Sequence, residues 1–223
     1  MVENLIQNNP AVLLESPKIS RKIPDVLSVA EIQDILDAID LSDPQGQRNR
    51  AIIEVLYACG LRVSELVELK ISNLFLDIGF IRVIGKNNKE RLVPIGAEAI
   101  KYLEIYLKSI RQKMNNIKED SKNIVFLNRN GRKMTRVMVF YIIKEFAEKA
   151  GIQKTVSPHT FRHSFATHLI DGGANLSVVQ ELLGHESIIT TEIYTHLSME
   201  YLRETIMTFH PRVQQMRNKK NRE

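Results

Sequence analysis

With 223 residues, 43% of them hydrophobic and 26% charged, the chain has the composition of an ordinary soluble globular protein with one sizeable core. A single cysteine, Cys59, excludes an internal disulfide framework, and no apolar run approaches the ~18 residues that a membrane-spanning helix needs. The net charge of +5 and a pI near 9.3 suit a polyanionic partner, but an ordinary basic surface gives the same balance.

Residues 1–22 have little periodicity and contain Pro10 and Pro17, so they read as a linker. They lack the basic start and long apolar stretch of a signal peptide, and with one cysteine the expected compartment is the reducing cytoplasm. Ser28 and Glu31 have capping-box spacing, and Ile32, Ile35, Leu36 and Ile39 follow at helical intervals. "QGQRNRAIIEVLYACGL" predicts a second helix stopped by Gly60, with Ile52, Ile53, Leu56 and Tyr57 inward and Cys59 as a buried thiol. A short helix around Ser64–Leu69 comes next. "NLFLDIGFIRVIGKNNKERLVPI" carries three β-rich runs, Leu74–Leu76, Phe80–Ile84 and Arg91–Ile95, separated by turn-like segments. They predict a small antiparallel sheet with Lys86 in or beside its second turn, where Lys89, Glu90 and Arg91 make a polar neighbourhood.

The remainder predicts helices near 97–112, 135–150, 158–170, 175–183, 188–196 and 198–208, then a basic tail over 211–223. The fold class is therefore mainly α with a small antiparallel β-sheet.

Three of the six histidines lie in "SPHTFRHSFATHL", residues 157–169. Ser157 suits an N-cap and Pro158 the first helical position. His159, Arg162 and His163 then share one arc, and Phe161, Phe165 and Leu169 share a core-facing one, with His168 beside it. His159 and His163 have the spacing of a zinc helix, but Thr160 replaces the expected acid and Arg162 would repel the ion, so no metal is expected. The same residues at a helix start suit a phosphate, through free N–H groups and a planar guanidinium. A surface ion pair or cap would look alike. His185 follows the helix stop Gly184, Tyr194 stands nine residues on, and Arg62 lies just past Gly60. "GFIRVIGKN" superficially matches a P-loop but has the wrong spacing and Asn87 in place of Ser or Thr, so nucleotide binding is rejected.

The ordered set "YACGLRVSELVELK", "VIGKNNKERLVPI" and "HTFRHSFATHLIDGGANLSVVQELLGHESIITTEIYTH" resembles the tyrosine site-specific recombinases of the phage integrase family, most closely those of the Xer type. The resemblance covers about 25–210 and implies a catalytic domain over 23–210 after a remnant of the interdomain linker, with the family's N-terminal core-binding domain absent. It implies double-stranded DNA as the partner, and strand cleavage by a tyrosine hydroxyl to give a 3′-phosphotyrosyl link and a free 5′-hydroxyl, without a metal or other cofactor. Motif matching assigns the nucleophile to Tyr194 and phosphate contacts to Arg62, His159 and Arg162, with His159 also a candidate proton acceptor. His185 matches a second phosphate-contacting histidine, Lys86 the lysine that protonates the leaving oxygen, and Glu65 an acidic support for the arginine.

Chromosome dimer resolution is the expected role, with contacts to other recombinase subunits through the helix near 198–208. An integrase or transposon recombinase of the same family, and a non-catalytic module docking through that helix, are the alternatives. The amphipathic "LSMEYLRETIMTFH" motivates the last of these, although the helix could equally pack on its own domain.

Overall fold

The computed structural model describes residues 25–85, 88–184 and 196–214, with the backbone alone for 196–198. Helix α1 (Val29–Asp37) begins as its sequence dictates. Ser28 Oγ accepts from the Glu31 amide, and the Glu31 carboxylate accepts from the Ser28 amide, at 3.1 and 2.7 Å. Helix α2 (Pro44–Cys59) is capped by Asp43, starts with proline and ends at Gly60, whose φ of +56° is the left-handed conformation glycine adopts without strain. Almost every side chain of α2 is buried, because α1, α4, α5 and α6 all pack against it. Cys59 is fully enclosed in this core, and burial pushes its thiol pKa up, so it is an inert structural residue.

After the short α3 (Val63–Val67), strands β1 (Leu74–Phe75), β2 (Phe80–Ile84) and β3 (Glu90–Pro94) form an antiparallel sheet in that order. Its outer strands differ from expectation by a residue, with β1 shorter and β3 shifted toward the turn. Register pairs Ile81 with Val93 and Val83 with Arg91, and these four form the buried face of the sheet.

The helix expected over 97–112 is regular only as α4 (Ala97–Ile105) and then widens into a π-turn over Tyr106–Ile110 and a 3-10 turn over Arg111–Lys113. The cause is a demand from two side chains. Tyr106 Oη donates to Val125 O (3.2 Å) and accepts from the Leu127 amide (3.1 Å), while Arg111 donates to Ile124 O (3.0 Å) and Lys122 O (2.6 Å). Five α-helical residues would set those side chains about 140° apart, and the wider turn brings both onto one loop.

Helices α5 (Arg136–Lys149), α6 (Pro158–Asp171), α7 (Leu176–Leu183) and α8 (His196–Phe209) complete the architecture. The segment expected to be helical over 188–196 lies outside the described residues apart from its last residue. Leu202 and Ile206 of α8 are buried against this domain, where the helix packs on α6, α7 and β3. The packed body also extends past the expected boundary at 210. Val213 is buried, and Arg212 pairs with the buried Glu54, itself held by Arg50 at 3.0 Å.

His210 is fully buried between the rings of Tyr57 and Phe165, with centroids 4.8 and 5.6 Å away. Its Nδ1 accepts from the Arg212 amide and its Nε2 donates to Tyr57 O, which requires the neutral ring. Burial pushes its pKa down to about 3; the Tyr57 carbonyl opposes that, and the charges of His168 and Arg212 add to it. Below the ordinary value of 6.5, the unfolded chain binds a proton that the folded chain refuses, so stability falls with acidification from about pH 6.5 toward 3. At ~1.4 kcal/mol per pH unit, about 2 kcal/mol should be lost between pH 6.5 and 5. Urea unfolding at pH 7 and pH 5 measures this. The His210→Gln variant should show a flatter profile; equal pH slopes in the two proteins would exclude His210 as the cause.

Candidate active site

Two glycine-terminated helices and the start of a third build the site. Ser157 caps α6 and Pro158 opens it, as the sequence predicts, with Phe161, Phe165 and Leu169 fully buried on its inner face. Phe165 lies so close to the end of α2 that a Cβ at position 60 would stand 2.4 Å from its ring. Gly60 therefore serves two ends: it turns the chain and lets α6 approach. Its carbonyl accepts from Arg162 Nη1 at 2.7 Å.

Arg162 is buried, whereas His159, one turn before it, is exposed. The shared arc read from the sequence is thus divided, because Arg162 reaches across to neighbouring helices. Its Nη2 donates to Leu183 O at 2.6 Å, in the last turn of α7. Arg62, the residue capping α3, donates to the same carbonyl at 3.3 Å and to Gly184 O at 3.4 Å. Gly184 closes α7 with φ +64°. The carbonyl ends of α2 and α7, which lack partners within their own helices and carry partial negative charge, hold the two guanidiniums.

Glu65 sits one turn into α3 with its side chain only 2% exposed. It accepts from the Arg62 amide (2.8 Å) and from Arg62 Nη1 (3.0 Å). It also accepts both terminal nitrogens of Arg91, at 2.8 and 2.9 Å. Burial by itself raises the Glu65 pKa, but the hydrogen bonds and charge of Arg91, together with Arg62, outweigh it and hold the carboxyl below its ordinary range. Arg162 is brought down to about 10, first by burial and then by the charges of Arg62 and Arg91, with Glu65 opposing. It remains cationic at neutral pH.

The structure thus brings together Arg62, Glu65 and Arg162, with His159 in the first turn of the same helix as Arg162. Lys86, His185 and Tyr194 lie outside the described residues. Arg91 is the member that sequence reading does not nominate: it stands at the head of the third β-rich run and is weighed there only as part of the polar neighbourhood of Lys86. It is a buried residue of β3, and the signal was available: it alternates with Val93 on the inward face of the strand. His168, expected beside the core-facing arc, is half-buried with its Nδ1 hydrogen-bonded to the Tyr57 hydroxyl at 2.8 Å. Among the described residues, no group of three or more His, Cys, Asp or Glu is placed to hold a metal ion. No described helix is long and apolar enough to cross a membrane.

Comparison with known proteins gives a consistent assignment. The model of the phage integrase family matches residues 25–201. Tyrosine recombinase XerD of Staphylococcus haemolyticus is 45% identical over 210 residues, spanning 94% of this chain and 70% of the relative, and that of Staphylococcus aureus is 46% identical over the same spans. The crystal structure of XerA recombinase matches with a TM-score of 0.65 at 36% identity, covering 85% of this chain and 67% of that one. XerH site-specific recombinase bound to difH substrate, in its pre-cleavage complex, matches with a TM-score of 0.65 at 32% identity, covering 81% and 52%. Family match, relatives and fold agree: this chain belongs to the phage integrase family of tyrosine recombinases.

Proposed function

We propose that the chain is a DNA strand-transferase that performs site-specific recombination by breaking and rejoining strands through a 3′-phosphotyrosyl intermediate, in the manner of its XerD relatives. The observation that carries this is charge. Arg62 and Arg91 both donate to the Glu65 carboxylate, and Arg162 is held beside them on a carbonyl it shares with Arg62, so among the described residues three guanidiniums stand around one buried carboxylate. A phosphodiester is the anion that such planar donors and a helix start accommodate.

In this reading Arg62, His159, Arg162 and His185 hold the non-bridging oxygens of the scissile phosphate. Tyr194 Oη attacks phosphorus, the bond to the 5′-oxygen breaks, and Lys86 supplies the proton that oxygen needs. Ionising a phenol of pKa ~10 at pH 7 costs about 4 kcal/mol, which nearby cations and a proton acceptor such as His159 offset. Preorganised donors stabilise the charge that builds on phosphorus oxygens, which is where Arg62 and Arg162 act. Because the covalent link conserves the phosphodiester bond energy, rejoining needs no nucleotide.

Chromosome dimer resolution in the cytoplasm is the role proposed from the XerD relatives, with 23–210 acting as the catalytic domain. Subunit contacts through α8 belong to the same proposal. Leu202 and Ile206 are occupied within this domain and Tyr201 is exposed, so such a contact uses Tyr201 or requires α8 to leave its place. The test is selection of duplexes from a random pool, nicking of the selected sequence near its centre, and mass spectrometry of the covalent product. The linked nucleotide should map to the peptide holding Tyr194. Linkage to another residue would overturn the assignment.

A further inference from the structure

Arg91 has contacts that packing alone does not require. Its side chain is 7% exposed, on the inward face of β3 opposite Val83. Both terminal nitrogens are spent on Glu65, and Nε donates to Leu182 O at 2.9 Å. Gly184 comes so close that a Cβ there would stand 3.0 Å from Nη1 and 3.2 Å from Cδ of Arg91. Leu182, Leu183 and Gly184 are the last turn of α7, and the carbonyls of the latter two hold Arg62 and Arg162. The chain runs directly from Gly184 to His185.

A buried cation beside two others is costly, and a well-packed apolar residue would stabilise a strand as well or better. What an apolar residue could not do is fix a carboxylate and a helix end at one distance. Resting on the recombinase reading above, we propose that Arg91 is a positioning residue for strand cleavage, which ties Glu65, and through it Arg62, to the last turn of α7, from which His185 leaves. Its planar fork occupies both Glu65 oxygens while the third nitrogen holds α7. Lysine, a single point donor, cannot make that set of contacts. Strand β3, helix α3 and helix α7 are thereby joined in one rigid unit, and the position of Arg62 relative to the phosphate depends on it.

The test uses Arg91→Lys and Arg91→Gln in the whole chain, on the nicked duplex selected from a random pool. Single-turnover cleavage should fall roughly 10- to 100-fold, the size of effect a misplaced reacting group produces, while duplex affinity stays within about threefold. The folded fraction under assay conditions is measured alongside by urea titration. Without DNA, the Arg62 side-chain Nε–H signal in NMR should shift in both variants and exchange faster with water. Cleavage by Arg91→Lys within twofold of the wild type would overturn the proposal, as would a loss that merely follows the folded fraction. If the wild type forms no adduct, the recombinase reading fails instead, and the Arg62 signal decides the positioning: a shift upholds it and an unmoved signal overturns it.

Discussion

Arg162→Lys should slow strand cleavage by about 10²–10³, with duplex affinity changed far less, because it removes a donor that acts on charge developed in the transition state. The expectation follows from how Arg162 is held. One arm of its fork is taken by Gly60 O at 2.7 Å and the other by Leu183 O at 2.6 Å, so the guanidinium plane is fixed before DNA arrives. Lysine offers one ammonium and cannot serve both carbonyls while also facing a phosphate. The environment matters too. Burial and the charges of Arg62 and Arg91 bring even arginine down to about 10. A lysine, whose ordinary pKa is lower, would be pushed toward neutrality in the same place. Residual cleavage by Arg162→Lys should therefore decline as pH rises through 7 and 8, while the wild type shows no such loss from this residue. Single-turnover rates on a nicked duplex across that range would decide it, and a variant as fast as the wild type at every pH would remove Arg162 from the chemistry.

The largest expected effect on stability belongs to Glu65→Gln. Glu65 is, among the described residues, the one carboxylate that Arg62 and Arg91 share beside Arg162, and removing one partner of a buried ionic network costs about 3–5 kcal/mol. That is a large part of the 5–15 kcal/mol typical of a domain, so the urea midpoint should move far enough to read easily. Acid should mimic the substitution. The folded carboxyl has a pKa below the ordinary 4.5, so its stabilisation is complete above pH 4.5 and drains away as pH falls through the lower folded value. Replacing both partners, as in Glu65→Leu with Arg91→Met, should recover part of the loss, since no buried charge is then stranded. A Glu65→Gln protein within 1 kcal/mol of the wild type would show that the network is not held by this charge.

Helix ends were the most legible part of the fold, because the chemistry that makes them is local. Ser28 with Glu31, Ser157 with Pro158, and the stops at Gly60 and Gly184 each announce themselves within a few residues. The π-turn over Tyr106–Ile110 was not legible, since its cause lies in carbonyls 11 to 19 residues further along the chain. The site divides in the same way. Arg62, Glu65 and Arg162 could be nominated from the resemblance of their motifs, but not the main-chain oxygens that hold the two arginines or the Arg91 guanidinium that holds Glu65. A single-helix projection put His159 and Arg162 on one arc and could not foresee that Arg162 would be drawn inward by Gly60 and Leu183 while His159 stayed exposed. Arg91 was obscured by its neighbours: with Lys89 and Glu90 beside it, a buried cation looks like one more member of a solvated turn.

The arginines of this domain rest mainly on the main chain: the carbonyls at 60, 182, 183 and 184 accept from Arg62, Arg91 and Arg162. Main-chain acceptors come with any amino acid, so leucine at 182 or 183 could drift to another apolar residue of similar size without changing the electrostatics. Conformation is what cannot drift. A substitution at Gly60 or Gly184 would rotate those oxygens away from their donors while leaving every ionisable group in the sequence intact. Loss of function in this family member can thus arise from positions that carry no chemistry at all, and a search restricted to charged and nucleophilic residues would pass over them.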